Sequence, residues 1–91
     1  MVKVDSFQIP GVRCWFWSED HLPHHFHMEA ESGEWNAKVM FLLDEHQMIQ
    51  DVYSQKSKGI PAGIKKTIHE MVKRNVANLI REWERMHGSG S

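Results

Sequence analysis

The chain has 91 residues, of which 41% are hydrophobic and 25% are charged, and its formal net charge at pH 7 is −1. This length excludes a second buried core, and no apolar run approaches the roughly 18 residues that a membrane span needs. The single cysteine, Cys14, and the lack of a secretory signal lead us to expect a non-secreted, cytoplasmic protein with one domain over residues 1–87 and a flexible or artificial tail over residues 88–91.

Period-two alternation predicts strands in the N-terminal half. Residues 4–9 form a weak candidate for an edge strand, and residues 12–19 form a strand with aromatic side chains on both faces. Residues 24–31 alternate more cleanly and place Phe26, Met28 and Ala30 on one face, which we expect to face the core. The opposite face of this strand carries His25, His27, Glu29 and Glu31.

The next alternating segment, residues 35–43, follows a Ser-Gly turn and predicts the central strand of the sheet. Its expected core face carries Trp35, Ala37, Val39, Phe41 and Leu43. Residues 44–46 then predict a turn, and residues 48–53 predict a further, weaker strand.

A long amphipathic helix is predicted after the polar run over residues 54–59, with Pro61 in its first turn and its end at Gly88. Apolar residues recur at 3.6-residue spacing over about six turns, so one stripe should cover the sheet. The stripe consists of Ile64, Ile68, Met71, Val72, Val76, Leu79, Ile80, Trp83 and Met86. Together the elements predict an α+β domain, an antiparallel meander of three to five strands packed against one long C-terminal helix.

The charge distribution separates the two halves of the chain. Residues 1–55 carry three basic against nine acidic residues, whereas residues 56–91 carry eight basic against three acidic residues. The helix face opposite the apolar stripe is therefore either a solvated surface or a nucleic-acid-binding surface. Its candidate phosphate contacts are Lys66, Lys73, Arg74 and Arg81.

Four histidines within seven residues mark the densest chemistry in the chain: His21, His24, His25 and His27. Residues i and i+2 of a strand project to the same side, so the rings of His25 and His27 should converge if this segment is extended, with His24 pointing away. A turn at Pro23 would let His21 fold back toward them. The candidate ligands of a divalent transition metal such as zinc are His21, His25 and His27, with Glu29 or Asp20 as a further ligand.

The same histidine pair can instead act without metal. His25 and His27 would then serve as general acid and base, as in sites that cleave RNA, with Lys38 or Arg13 steadying a phosphate. Two other interpretations stay open, a pH-sensitive binding surface and histidines that only pack or cap the turn before the strand.

Other chemically distinctive side chains give weaker signals. Cys14 lies among apolar neighbours, which favours a buried small residue over a nucleophile. Trp15, Trp17 and Trp35 are candidates for stacking bases, but a small domain also needs large core residues, and we expect at least two of the three in the core.

The segment Asp20-His21-Leu22-Pro23-His24-His25-Phe26-His27-Met28 resembles the motif of the bacterial domain of unknown function 4160 family. That motif has aspartate and histidine, a spacer, prolines, and His-Phe-His followed by an aliphatic residue. This chain departs from it at His24, where a second proline is usual, and at Met28, where valine is common. The likeness extends to the following strand and to a closing helix with Arg81-Glu82-Trp83 near its end.

The resemblance implies no assigned activity, because the family has none, but its members often lie near toxin and antitoxin genes. It also implies a shared site at His21, His25 and His27. The first functional hypothesis is a binding or accessory module of toxin–antitoxin type, whose histidine surface holds a ligand, a metal or a partner. A partner protein and a nucleic acid both stay open as partners of the chain. The second is a small nuclease-like enzyme that uses His25 and His27.

Overall fold

A computed structural model describes residues 2–17, 21–52 and 59–87. The predicted tail, residues 54–58 of the polar run before the helix and the candidate ligand Asp20 lie outside the described residues. None of the helices within these ranges combines the length and the apolar character that crossing a membrane requires.

Five antiparallel strands form one sheet in which every strand pairs with the next along the chain. This meander arises because short connections allow consecutive strands to pair locally. The strands are β1 (Val2–Lys3), β2 (Val12–Phe16), β3 (Phe26–Ala30), β4 (Asn36–Val39) and β5 (Ile49–Asp51).

Two helices complete the fold, a short α1 (Glu45–Met48) that leads into β5 and a long α2 (Ala62–Met86). Pro61 stands at the N-cap of α2, where its missing N–H costs nothing because the first backbone donors of a helix have no internal partner. The predicted class, an α+β domain with an antiparallel meander and one long C-terminal helix, is confirmed.

The hydrophobic core lies between α2 and one face of the sheet. Phe16, Phe26 and Met28 alternate with less buried neighbours along β2 and β3, and they point to the same side as α2. The helix contributes to this core the residues Ile68, Val72, Leu79 and Trp83. The apolar stripe that the sequence predicts therefore covers the sheet, as expected.

The edge strand differs from the prediction. Residues 4–9 form a loop, and the edge strand is β1, one step earlier in the chain. The loop still buries Val4 and Phe7 completely, so its apolar residues are explained by the core and not by strand alternation. The carboxylate of Glu82 on α2 accepts hydrogen bonds from the backbone N–H groups of Asp5 and Ser6, and these bonds connect the loop to the helix.

The centre of the sheet also differs from the prediction. The central strand is β3, whereas β4 ends at Val39 and the chain turns at residues 40–43. The predicted turn at residues 44–46 is instead the start of α1. Asp44 is the N-cap residue of this helix, and its backbone is extended. The backbone N–H of Met40 donates to the carbonyl of Met48 at 2.6 Å and closes this excursion.

Candidate functional site

The face of the sheet turned away from α2, which we call the open face, carries one continuous row of side chains. Residues directly opposite each other on antiparallel strands project to the same side. The register pairs Lys3 with Trp15, Trp15 with His27, His27 with Lys38, and Lys38 with Gln50. Each of the five strands thus contributes one member, and an aromatic pair stands between two lysines.

The rings on the open face are packed against one another. Trp15 and His27 stack with their centroids 5.7 Å apart and their planes 18° from parallel. The ring of Trp17 meets both of them edge-on, at 6.3 Å from Trp15 and 6.4 Å from His27. Trp17 nevertheless stays 44% exposed, so it is the ring of this group that a ligand can reach most easily.

Positive charge on the open face is only partly compensated. Arg13 forms an ion pair with Glu29 on the adjacent strand, as expected for opposite charges in directly paired positions. Lys3 and Lys38 have no acidic partner within the described part of the chain. The central row therefore keeps two cations that are available to an anionic ligand.

His25 lies just before β3, at the end of the sheet, and only 6% of it is exposed. Its Nδ1 lies 2.8 Å from the carbonyl oxygen of Pro23, and because a carbonyl oxygen only accepts, Nδ1 donates this hydrogen bond. Its ring centroid is 5.2 Å from that of His27. The two rings therefore lie together, in the arrangement that the alternation along this segment predicts.

The end of α2 supplies a ring that sequence reasoning does not connect to the histidines. Trp83 is 4% exposed, and its ring lies 4.9 Å from His24 and 5.7 Å from His25. His87, one helical turn after Trp83, also stacks on it at 3.7 Å. The periodicity of α2 predicts burial of Trp83, but its contact across more than fifty residues of sequence has no local signal.

Of the candidate metal ligands with described positions, the structure shows His25 and His27 side by side but no third ligand with them. His21 is exposed, and Glu29 is held by Arg13. Among the residues with described positions, no group of three or more histidine, cysteine, aspartate or glutamate side chains is arranged to hold a metal ion. The His21, His25, His27 and Glu29 set therefore remains a prediction from the sequence.

The remaining candidates separate into core and surface. Cys14 is buried, and burial raises the pKa of its thiol to about 12, so it is neutral and unreactive near pH 7. Of the three tryptophans singled out above, only Trp35 belongs to the hydrophobic core, so the expectation of at least two is wrong. The basic candidates on α2 are all exposed on its outer surface: Lys66, Lys73, Arg74 and Arg81.

The histidine next to Trp83 gives a prediction about pH. The pKa of His24 is lowered, first by burial and further by His87, while Glu84 partly opposes the shift. A folded-state pKa below the ordinary value means that the unfolded chain binds the proton more readily. The stabilisation is complete above the ordinary histidine pKa and is lost as pH falls toward the folded-state value. We expect the urea midpoint to fall on acidification from about pH 7.5 to 5.5, and to fall less in His24→Phe.

That variant keeps a ring against Trp83 and removes only the titrating group. The check is the difference between the urea midpoints of the two proteins at each pH. If the urea midpoints of the two proteins change in parallel with pH, His24 does not contribute to the pH dependence of stability.

Fold and surface together define a small α+β domain with a helix on one side of a meander and an aromatic, basic face on the other. The chain belongs to the family of the domain of unknown function DUF4160, whose family model matches residues 11–84. The match runs from the start of β2 nearly to the end of α2, and it agrees with the resemblance found in the histidine motif. Comparison with curated proteins and with solved structures gives no match.

Proposed function

We propose that this protein is a binding module whose open face holds a single strand of nucleic acid. The observation that carries this proposal is the row across the sheet, in which Trp15 and His27 stand between Lys3 and Lys38. Proteins that bind single strands combine rings for stacking bases with cations that contact the phosphates. The row supplies both on one surface.

Stacking supports the proposal through Trp17. Its ring is 44% exposed and is braced by Trp15 and His27, so a base stacks on it without a change in the protein's packing. Such a contact contributes about 1–3 kcal/mol per base and tolerates any sequence, because every base has a flat face.

The positions of the two lysines support the same ligand. Neighbouring strands lie about 4.8 Å apart, so the backbones of Lys3 and Lys38 are separated by about 14 Å across the row. A strand laid across the sheet meets one cation on each side of the stacked rings. A compact single anion would meet only one of them.

The nuclease alternative is favoured by one observation, the 5.2 Å separation of the His25 and His27 rings with Lys38 opposite His27. Its weakness is the burial of His25, because a general acid or base must come within hydrogen-bond reach of the reacting group. We therefore place binding ahead of cleavage. Within a toxin–antitoxin system, which the family resemblance suggests, such a module would be the accessory component.

The test is fluorescence anisotropy with labelled single-stranded RNA and DNA of about 12 nucleotides, within the usual size of such sites. We expect both to bind, with affinity that falls steeply as salt is raised. Trp17→Ala should weaken binding about tenfold, the equivalent of about 1.4 kcal/mol of stacking. Lys38→Ala should weaken it and also reduce the salt dependence, because one phosphate contact is lost.

The matched control is Lys73→Ala, which removes an exposed lysine from α2, on the other side of the molecule. It should leave the affinity unchanged. Loss of affinity in Lys73→Ala with none in Lys38→Ala would move the site to the basic face of α2 and refute the proposal. The same samples on a denaturing gel test the alternative, since cleavage that disappears in the His25→Ala, His27→Ala double variant would establish a nuclease.

A further inference from the structure

A cleft separate from the open face lies at the edge of the sheet, between β2 and the loop that joins β1 to β2. Within the described residues, two backbone hydrogen bonds join this loop to β2, both at 3.1 Å. The Val4 N–H donates to the Cys14 carbonyl at one end of the loop, and the Val12 N–H donates to the Ile9 carbonyl at the other end. Between these two hydrogen bonds the loop is not paired with the strand. The result is a cleft of about 640 Å³.

This volume falls within the range of about 300–1,000 Å³ that is usual for small-molecule sites. It is far more than one water molecule needs, so the cleft has room for an organic ligand.

The floor of the cleft is apolar. Val4 and Phe7 at its base are fully buried, and the apolar side chains of the cleft that stay at least partly exposed are Pro10, Val12 and Trp15. Apolar walls offer few partners for water, so an apolar group that displaces water from them is bound favourably. The ligand's body is therefore apolar.

The rim of the cleft carries charge, and this sets the chemistry of the ligand's other end. Lys3, Arg13 and Glu31 stand at the rim and are exposed. The ion pair with Glu29 largely neutralises Arg13, whereas Lys3 has no acidic partner within the described ranges. Glu31 lies at the opposite end of the cleft, since its N–H donates to the Gly11 carbonyl whereas Lys3 pairs with Trp15. The Lys3 end is therefore the one that is complementary to an anionic group attached to an apolar body.

We propose that this cleft binds a small amphipathic organic anion, such as a medium-chain or aromatic carboxylate, with its apolar part against Pro10, Val12 and Trp15 and its carboxylate toward Lys3. The binding is non-covalent. A thiolate at the floor would be a nucleophile, but the thiol of Cys14 is neutral near pH 7 because burial raises its pKa. This site does not depend on the function proposed for the open face, although Lys3 and Trp15 border both.

The experiment uses two probes, octanoate and the fluorescent aromatic sulfonate 8-anilinonaphthalene-1-sulfonate. We expect saturable one-to-one binding of the fluorescent probe and its displacement by octanoate. Addition of octanoate to ¹⁵N-labelled protein should shift amide signals from residues 3–14 and leave those of the middle of α2 in place. Octanol, which has the same chain without the charge, should bind about tenfold more weakly.

Two charge reversals provide the matched comparison, one at the exposed Lys3 and one at the partly exposed Lys38, and neither residue belongs to the core. Lys3→Glu should weaken octanoate binding about tenfold, while Lys38→Glu, three strands away on the same face, should leave it unchanged.

Equal losses in the two variants would mean attraction to the general charge of the face and would overturn the proposal. So would signal shifts spread over the whole protein, or no saturation at millimolar octanoate. Because Lys38→Glu weakens nucleic-acid binding but spares octanoate, failure at one site is distinguishable from failure at the other.

Discussion

Trp83→Ala should lower the free energy of unfolding by about 3–5 kcal/mol, which is a large part of the roughly 5–15 kcal/mol that holds a small domain together. Trp83 is only 4% exposed. Its ring contacts the rings of Phe16, His24 and His87. Its removal therefore leaves a cavity between the end of α2 and the sheet. Urea unfolding followed by far-ultraviolet circular dichroism measures the change without relying on tryptophan fluorescence.

The matched control is Trp17→Ala, the same substitution at a ring that is 44% exposed on the open face. It should cost less than about 1 kcal/mol, because little packing is lost and no cavity forms. Trp83→Phe should recover part of the loss by refilling the cavity. Equal destabilisation by the two alanine variants would contradict the role of Trp83 as the residue that fixes the end of α2 against the histidine segment.

Local periodicity predicted most of this fold. The alternation over residues 24–31 places Phe26 and Met28 in the core and His27 outside, as found, since side chains of a strand alternate whatever lies next to it. The apolar stripe of α2 is equally local. Both patterns depend only on the backbone geometry of one element, and they predict which face is buried.

Strand boundaries and order depend on contacts between elements, and there the sequence was insufficient. Val4 and Phe7 look like alternating strand residues, but they are buried because the loop that carries them folds onto the core. The apolar run after Val39 likewise suggested a longer central strand. Its residues Met40 and Phe41 are buried in a turn instead, which leaves β3 in the centre.

The candidate site divides in the same way. The sequence anticipated the proximity of the His25 and His27 rings, although His25 lies just before β3 and is buried near Trp83. The alignment of Lys3, Trp15 and Lys38 with His27 depends on the register between four strands, which no single segment encodes. Glu29, a candidate metal ligand by its position on the histidine face, is held instead by Arg13 on the neighbouring strand.

The second large effect concerns the contact that fixes the N-terminal loop. The carboxylate of Glu82 accepts hydrogen bonds from the backbone N–H groups of Asp5, at 2.7 Å, and Ser6, at 3.2 Å, and also from the Ser6 hydroxyl. Hydrogen bonds to a charged group contribute about 1.5–3 kcal/mol, and three donors lose their partner together if the carboxylate is removed. Glu82→Ala should therefore lower the free energy of unfolding by about 2–3 kcal/mol.

Hydrogen exchange gives this prediction a local readout, because the amides of Asp5 and Ser6 should exchange faster in Glu82→Ala while the amides of β3 change only with global stability. Glu70→Ala removes an exposed carboxylate from the same helix and should change neither measurement appreciably. Glu82→Gln should fall between the two, since its amide oxygen still accepts but carries no charge. If Glu82→Ala and Glu70→Ala unfold at the same urea concentration, the loop is held by the burial of Val4 and Phe7 alone. The shape of the cleft beside this loop would then not depend on the hydrogen bonds from Glu82 of α2.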